Sequence, residues 1–287
     1  MSDQAEISII IVNWNVRDLL IRCLASIQRF VRAPYEVIVI DNASTDGSLE
    51  AIHKQFPNVV CIANTRNVGF ARANNQGIQR ARGQYVALLN PDTELVDDPF
   101  PVLTNYLNSH STTACVGPEV LNPDRTHQQS VRRFPTLPDQ VVVLLKLRHL
   151  FRTTAWMQRY LADPGSGIAE PLVVDQLMGA AMLMPRWAFQ SVGLFDEGYP
   201  NWFEEVDWCR RARSAGFDVV YHPGARLIHA GGQSFGQLVS VKKHRWFLTG
   251  LRRYAGKHWA APQARTITAL APLSYLLTML QSVIKPR

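Results

Sequence analysis

Cysteine is scarce in this sequence. Only four of its 287 residues are cysteines, and no two of them form a C-x-x-C pair. This argues against a structural zinc site and against a secreted fold held together by disulfides. The first apolar run, residues 7–12, is too short for the core of a signal peptide. We therefore expect a reducing, cytoplasmic location.

Acidic residues are missing from the last part of the chain. No Asp or Glu follows Asp218, whereas the 69 residues after it contain ten Lys or Arg. The whole chain carries a formal charge of +7, and 47% of its residues are hydrophobic, as in a folded globular protein. A basic end on a nearly neutral body favours an extended anionic partner, either nucleic acid or an anionic membrane surface.

Two phosphate-binding motifs are also absent. No G-x-G-x-x-G follows the first predicted strand, and the chain has no G-x-x-x-x-G-K-[ST]. Their absence argues against NAD-linked and P-loop chemistry. A nucleotide in this protein needs a different grip on its phosphates, and a divalent metal held by carboxylates is the most plausible one.

Apolar runs alternate with helical patterns through the first third of the chain. Strands are predicted at residues 7–12, 36–40, 58–63 and 84–89, with helices at residues 18–30, 44–55 and 71–81. Strands separated by helices give a parallel sheet with right-handed crossovers. The predicted fold class is therefore α/β.

Each of the four predicted strands ends in polar residues. These are Asn13 and Asn15 after the first strand, Asp41 after the second, Asn67 after the third, and Asn90 and Asp92 after the fourth. Asn and Asp favour turns, which would explain one such end. Because ligands of open parallel sheets bind beyond the carboxyl ends of the strands, four polar ends on one rim favour a binding site.

The first half of the chain contains the blocks V-N-W-N, V-I-V-I-D-N-A-S-T-D-G-S, N-V-G-F-A-R-A-N-N-Q-G-I and L-L-N-P-D-T-E. These blocks resemble the nucleotide-sugar half of the family 2 glycosyltransferases, in particular the bacterial rhamnosyltransferase-like subgroup of cell-surface polysaccharide synthesis. Further on, G-L-F-D-E-G-Y-P-N-W-F-E-E-V-D-W-C-R-R resembles the acceptor-side motif, and Y-H-P-G-A-R-L-I-H-A-G-G-Q-S resembles the strand and histidine that close the active site.

The resemblance implies a GT-A fold, in which a Rossmann-like, mostly parallel central sheet is flanked by helices. It implies a catalytic domain over residues 1–240, with a nucleotide-sugar-binding half at 1–98 and an acceptor-binding half at 99–240. Residues 241–287 would form a basic, partly apolar C-terminal helical region.

The resemblance also implies a divalent metal, Mg²⁺ or Mn²⁺, held by Asp92 and His229. Such a metal neutralises the charge that builds on the leaving nucleoside diphosphate. Asn90 stands where the family usually has the first Asp of Asp-x-Asp, so we expect weaker metal binding. A turn after the fourth strand is the alternative explanation for Asn90 and Asp92, and a structural role is the alternative for His229.

Nine positions match the family's nucleotide pocket: Asn13, Asn15, Asp41, Asn67, Gly69, Phe70, Asn74, Asn90 and Asp92. Asp41 matches the residue that contacts the base or ribose, and Gly69 allows close approach of the backbone. Core packing is the alternative role for Phe70, and a solvent-facing position on a helix is the alternative for Asn74.

Inverting transfer needs a carboxylate to deprotonate the attacking acceptor hydroxyl. Glu204 matches the family's base by its 25-residue interval to His229. Relatives commonly have Glu-Asp where this chain has Glu204 and Glu205, so both remain candidates. A helix is predicted over residues 204–215, and carboxylates at its start also suit the helix dipole alone.

Three further positions match the acceptor side of the family: Gly179, Trp202 and Asp207. Gly179 is expected on a strand beneath the sugar site, and Asp207 is alternatively expected to orient the loop or helix. Arg132 or Arg133 would meet acceptor phosphates, or would lie in an ordinary solvated loop.

Two segments suggest contact with a membrane. Residues 141–161 are apolar with four interleaved basic residues, which is typical of a basic helix on an anionic bilayer. Residues 266–284 are mostly apolar and are flanked by Arg265, Lys285 and Arg287. We expect this second segment to lie at the membrane interface rather than to span it; packing on the catalytic domain or on a second subunit is the alternative.

These features together predict a metal-dependent inverting glycosyltransferase at the inner face of the cell membrane. By resemblance, the donor is dTDP-L-rhamnose and the acceptor a saccharide on a polyprenyl diphosphate; UDP- and GDP-sugars are alternative donors. A non-catalytic nucleotide-sugar-binding or scaffold protein would bind nucleotide without turnover. A nucleotidyltransferase would need a Gly-rich basic segment after the first strand, which residues 13–15 are not. Nucleic-acid binding has no supporting motif.

Overall fold

The computed structural model describes residues 5–151, 153–161, 165, 167–231 and 240–284. Its first part confirms the predicted alternation of strands and helices. The strands are β1 (Ile7–Asn13), β2 (Tyr35–Asp41), β3 (Val60–Ala63) and β4 (Tyr85–Leu89). The helices between them are α1 (Arg17–Phe30), α2 (Ser48–Gln55) and α3 (Phe70–Arg80). The four strands are parallel and lie in the order β3-β2-β1-β4.

Helix α2 begins four residues later than expected, because side chains capture the backbone before it. The Asp41 carboxylate accepts the Ser44 N–H at 2.8 Å, and Asn15 Oδ1 accepts the Thr45 N–H at 2.7 Å. Such bonds offer the backbone an alternative to helical hydrogen bonding. The residues predicted as the first turn of α2 therefore form a loop at the rim of the sheet.

The second part of the chain adds strands of both directions to the same sheet. Its strands are β5 (Thr93–Leu95), β6 (Thr113–Leu121), β7 (Val131–Arg132), β8 (Leu172–Val173), β9 (Gln176–Leu177), β10 (Ala181–Pro185) and β11 (Asp218–His229). Its helices are α4 (Phe100–Ser109), α5 (Leu137–Leu144), α6 (Arg148–Phe151), α7 (Ala155–Leu161), α8 (Arg186–Val192) and α9 (Glu204–Ser214).

Strand β10 joins the two parts of the sheet. It runs antiparallel between β4 and β6, and β11 continues the sheet parallel to β6. Strand β5 then pairs antiparallel with the end of β11, while β7 and β9 form a small separate ribbon. The mostly parallel central sheet that the sequence predicts is confirmed, with an antiparallel insertion at its middle.

Helices cover both faces of this sheet. Helix α1 buries Leu20, Cys23, Leu24 and Ile27 against one face, with α4 on the same side. Helices α3, α8 and α9 cover the other face. Since both faces are covered, the central strands are rich in apolar residues, and β1 and β4 are buried at every residue.

Residues 141–161 do not form the single amphipathic helix that the sequence predicts. They form the end of α5, then α6 and α7, because Lys146 adopts a left-handed conformation with φ 60° and ends the first helix. The apolar residues Val142 and Leu144 are buried rather than exposed.

The C-terminal region consists of α10 (Ser240–His258) and α11 (Ala261–Ile284). The two helices pack on each other and on α5, and they form a third apolar core. This core reaches the loop before α9 through Tyr199 and Phe203. The C-terminal helices therefore lie against the acceptor-side segment and are not an independent unit.

Helix α11 has one buried side and one exposed side. Ile267, Ala271 and Ser274 are buried, and Ser274 Oγ donates to the Leu144 carbonyl at 2.8 Å. The exposed side carries Leu273, Leu276, Met279 and Leu280. Within the described ranges, no helix has both the length and the apolar character needed to cross a bilayer. Lys285 and Arg287 lie outside the described residues, as do the residues 232–234 of the last family block.

Gly77 sets the distance between α3 and the sheet. A Cβ atom at this position would lie 2.5 Å from Ile10 Cγ2 and 2.9 Å from Ile40 Cδ1. We expect Gly77→Ala to lower the free energy of unfolding by about 1–3 kcal/mol, because the added methyl overpacks the core. Equilibrium urea unfolding measures this change.

Gly256 on α10 is the matched control, since a Cβ there meets nothing within 4 Å. Gly256→Ala gains the same helix propensity and should raise the free energy of unfolding by up to about 1 kcal/mol. Equal effects of the two substitutions would contradict the close packing of α3 on the sheet.

Candidate active site

The nucleotide-side rim is built from side chains that bond one another. Asn13 and Asp41 are paired in register at the ends of β1 and β2, and Asn13 Nδ2 donates to Asp41 Oδ1 at 2.8 Å. The other Asp41 oxygen accepts the Ser44 N–H, so both carboxylate oxygens are occupied. Asn15 holds the same loop through Thr45. The structure thus brings together three of the predicted nucleotide-binding residues.

One buried acceptor on this rim is unsatisfied. Asn13 Oδ1 is buried and has no hydrogen-bond partner among the described residues. An unsatisfied buried acceptor costs about 1–3 kcal/mol. A donor group on a ligand would offset that cost.

The start of α3 brings Asn67, Gly69, Phe70 and Asn74 to the next part of the rim. Asn67 Oδ1 accepts the Gly69 N–H at 3.0 Å, and Gly69 has a positive φ of 88°. A Cβ at Gly69 would lie 3.2 Å from the Pro200 carbonyl oxygen, so this glycine allows close contact with the acceptor-side loop. Phe70 is half-buried and packs against the core.

The solvent-facing alternative for Asn74 is wrong. Asn74 is 2% exposed, and its Nδ2 donates to the Phe70 carbonyl at 3.0 Å. The side chain therefore bonds back along its own helix from a buried position.

The two predicted metal ligands lie side by side. Asp92 Oδ1 is 3.3 Å from His229 Nε2, and both side chains are less than 10% exposed, at 8% and 7%. The sheet fixes this pairing, because β5 and β11 place Thr93 opposite His229, and the Ala230 N–H donates to the Asp92 carbonyl at 2.9 Å. Residues far apart in sequence thus share one end of the sheet.

Gln128, which the sequence analysis missed, orients the His229 ring. Its Nε2 donates to Asn122 Oδ1 at 2.8 Å and to the His229 carbonyl at 3.1 Å, so its Oε1 is left to accept. That oxygen lies 2.7 Å from His229 Nδ1. In the neutral ring the proton is therefore on Nδ1, and the lone pair of Nε2 faces Asp92.

This donor set fits a divalent cation. A carboxylate oxygen and an imidazole lone pair face each other, and a cation between them removes their mutual repulsion. Asn90 Nδ2 lies 3.4 Å from the same imidazole nitrogen. In the described part of the chain, no group of three or more His, Cys, Asp or Glu is arranged to hold a metal. Phosphate oxygens and waters would complete the coordination, as is usual for Mg²⁺ sites.

A strained turn fixes the start of α9. Trp202 and Phe203 both have positive φ angles, 63° and 72°, which bulky residues rarely adopt. The Phe203 ring packs 5.4 Å from the Phe247 ring and 5.7 Å from the Tyr254 ring, both on α10. The C-terminal core thus maintains the conformation that directs Glu204 and Glu205.

The two glutamates differ in their surroundings. Glu204 is only 3% exposed, and burial together with the neighbouring Glu205 raises its pKa well above the usual range. Burial also raises the pKa of Glu205, but the Arg132 guanidinium opposes that rise. Glu205 lines a cavity of about 510 Å³ and Glu204 does not. Of the pair, Glu205 is thus the carboxylate that faces the cavity.

Gly179 lies between Glu205 and the end of β4, where Asn90 is located. It lies in the turn before β10 and not on a strand as expected, because β9 ends at Leu177 and β10 begins at Ala181. A Cβ on Gly179 would lie 3.6 Å from Glu205 Cγ, and the adjacent Ala180 carbonyl accepts the Asn90 N–H at 2.9 Å. Glu205 is therefore close to the strand end that carries Asn90.

Asp207, predicted among the acceptor residues, is fully buried and does not line the cavity. Its carboxylate binds His258 Nε2 at 2.8 Å and Lys257 Nζ at 2.6 Å on α10, and Arg211 Nε at 2.9 Å on its own helix. The structure thus supports the alternative, in which Asp207 orients the helix.

Trp202 and Arg132 both line the cavity beside Glu205, whereas Arg133 does not. The other basic residues of the lining are Lys146, Arg148, Lys243 and His244. The sequence analysis did not single out these four as site residues. Their separate positions along the chain offered no spacing pattern that would have grouped them.

The model of the family "Glycosyl transferase family 2" matches residues 8–164, more than half of the chain. The chain belongs to this family. An N-acetylglucosaminyl-diphospho-decaprenol L-rhamnosyltransferase of Mycobacterium tuberculosis is 27% identical over 286 residues, covering 94% of this chain and 92% of the relative. The rhamnosyltransferase WbbL of Escherichia coli K12 is 28% identical over 199 residues, covering 66% of this chain and 70% of the relative.

Two solved structures share the fold. GalNAc-T7 with UDP, GalNAc and Mn²⁺ has a TM-score of 0.58 at 19% identity, covering 80% of this chain and 44% of its own. The mannosyltransferase PcManGT from Pyrobaculum calidifontis with GDP-Man and Mn²⁺ has a TM-score of 0.58 at 15% identity, covering 99% and 76%. The protein is thus a glycosyltransferase with a GT-A-like fold, and its relatives include rhamnosyltransferases.

The buried ion cluster of Asp207 makes a prediction about stability and pH. His258, Lys257 and Arg211 hold the pKa of its carboxyl well below the usual range, although burial alone would raise it. Because the three cations lose the buried carboxylate that they share, Asp207→Asn should cost about 3 kcal/mol at pH 7.

A carboxyl with a lowered folded-state pKa stabilises the fold above its unfolded pKa, and this contribution is lost as the pH falls below about 4. The difference between wild type and Asp207→Asn should therefore shrink by about 1 kcal/mol between pH 7 and pH 3. Urea unfolding at the two pH values measures it, with the exposed Asp97→Asn as control. A constant difference would contradict the role of the charge.

Proposed function

We propose that this glycosyltransferase moves L-rhamnose from dTDP-L-rhamnose to a saccharide carried on a membrane-borne prenyl diphosphate. The observation that carries the proposal is the meeting of Asp92 and His229 at one end of the sheet, close to the Gly179 turn that contacts Glu205. The transferred sugar and the acceptor are taken from the relative in Mycobacterium tuberculosis, whose name states rhamnosyl transfer to a diphospho-decaprenol-linked sugar and whose sequence aligns over 94% of this chain. The dTDP donor is what the family resemblance implies.

The nucleotide would lie on the rim formed by Asn13, Asp41 and the start of α3. Asn13 Oδ1 is a buried acceptor without a partner among the described residues, and the N–H of a pyrimidine base or a ribose hydroxyl can donate to it. Asp41 holds the Asn13 amide and the Ser44 loop in place. Gly69 lets the Pro200 carbonyl of the acceptor-side loop approach this rim closely.

Asp92 and His229 would hold the divalent metal, Mg²⁺ or Mn²⁺, with Gln128 fixing the imidazole. When bound, such a metal neutralises the charge that develops on the leaving diphosphate. Asn90 would contribute less than the aspartate usual at this position, since a neutral amide attracts a cation less strongly than a carboxylate does.

Glu205 would act as the general base. The acceptor hydroxyl gives its proton to the Glu205 carboxylate, its oxygen forms a bond to the anomeric carbon, and the bond from that carbon to the diphosphate breaks with inversion. The pKa of Glu205 is raised by burial, which strengthens it as a base, while Arg132 keeps the ionised form accessible. Glu204, more deeply buried and without access to the cavity, would support Glu205.

The acceptor's lipid anchor would place the enzyme at the cytoplasmic face of the membrane as a peripheral protein. The exposed apolar side of α11 and the basic C-terminal region support this location.

The activity is tested by nucleoside diphosphate release from UDP-, dTDP- and GDP-sugars in the presence of a membrane extract that supplies acceptors. We expect release from dTDP-rhamnose, its loss with EDTA and its recovery with Mn²⁺. Release from another donor would refute the rhamnose assignment, and release that survives EDTA would refute the metal. Nucleotide binding without any release would favour a non-catalytic sugar-nucleotide-binding protein.

Substitution of the two glutamates tests the base. Glu205→Gln should lower kcat by at least about 100-fold, because general base catalysis contributes about 10²–10⁴-fold. Glu204→Gln should have a smaller effect on kcat, since Glu204 does not reach the cavity. Steady-state kinetics on variants with unchanged urea unfolding decide the question. A larger loss in Glu204→Gln would assign the base to Glu204 instead.

A further inference from the structure

The cavity beside Glu205 carries an excess of positive charge. Arg132, Lys146, Arg148 and Lys243 line it, and Glu205 is the one carboxylate in its described lining. Arg132, Lys146 and Arg148 form no ion pair with any carboxylate of the described residues. Cations that outnumber the carboxylates of a cavity favour an anionic ligand.

Lys146 is the most constrained of these cations. It is half-buried, and the left-handed backbone that ends α5 presents it to the cavity. Burial lowers the pKa of its ammonium group. A partly desolvated cation without a carboxylate partner destabilises the free protein, and a bound anion removes that cost.

We propose that this cavity is the subsite for the prenyl diphosphate of the acceptor. Lys146, Arg148 and Arg132 bind the diphosphate, and the sugar reaches Glu205. The inference rests on the proposed function and adds to it which residues hold each group of the acceptor. An anionic bilayer surface explains the cations less well, because Arg132 and Lys146 line the same cavity as Glu205, the proposed base.

The assignment predicts that a prenyl diphosphate binds to the protein without an attached sugar. Farnesyl diphosphate is such a probe, and its binding to the full chain is measured by isothermal titration calorimetry. We expect the double variant Lys146→Gln/Arg148→Gln to bind it at least about 10-fold more weakly than wild type, since each charge-assisted contact is lost. Lys54→Gln removes an exposed cation from α2, outside the cavity, and should bind like wild type.

If the Lys146→Gln/Arg148→Gln variant binds farnesyl diphosphate like wild type, the proposal is wrong. If wild type binds vesicles of anionic phospholipid but not farnesyl diphosphate, the cations serve a bilayer contact and the proposal is also wrong.

The calorimetric result is independent of the test with UDP-, dTDP- and GDP-sugars (the donor panel), because farnesyl diphosphate carries no sugar acceptor. Failure of rhamnosyl transfer would appear in the panel alone, and failure of the diphosphate subsite would appear in the calorimetry alone. A further readout comes from two acceptors with the same sugar, one on a prenyl diphosphate and one on an alkyl chain. Wild type should prefer the first, and the Lys146→Gln/Arg148→Gln variant should lose about 10-fold of that preference.

Discussion

The geometry of the site depends on the antiparallel insertion of β10 between β4 and β6. This pairing places Ala181 opposite Leu89, so the turn before β10 lies at the carboxyl end of β4. The bond from the Asn90 N–H to the Ala180 carbonyl extends the ladder past the strand. Without β10, the parallel part would end in an unsupported rim. With it, Gly179 lies close to the Glu205 side chain, and residues from both parts of the sheet meet at one site.

The two sides of the site carry charge of opposite sign. Asp41 and Asp92 lie on the proposed nucleotide side, where a diphosphate would need a cation between itself and the protein. On the other side, Arg132 and Lys146 are themselves the cations. Glu205 lines the cavity with these cations, and Arg132 limits the rise in its pKa. The proposed base thus experiences burial and a nearby cation at once, a balance that would keep it both ionisable and strong.

The sequence was most informative where the hydrophobic pattern is long or the motif is compact. Strands β1 to β4 could be predicted for this reason. The pairing of Asp92 with His229 was implied by the family resemblance, and no pattern between these distant residues predicted it. The start of α2 could not, because side chains of Asp41 and Asn15 capture its backbone. Tertiary contacts determine three further features: the end of α5 near Lys146, the turn that contains Gly179, and the contact of Gln128 with His229. Such contacts leave no periodic pattern in the sequence. The basic residues that line the cavity could not be predicted as a group either, since they lie on separate elements.

Ser274 has a consequence for how α11 can meet other molecules. Its hydroxyl binds the Leu144 carbonyl and lies 3.0 Å from His244 Nε2, both inside the protein. A rotation of the helix about its own axis would break these bonds and expose a polar pair. The rotational phase of α11 is therefore set by one hydroxyl group. The exposed leucines of α11 therefore keep one direction relative to the rest of the protein, whatever surface or chain the helix contacts.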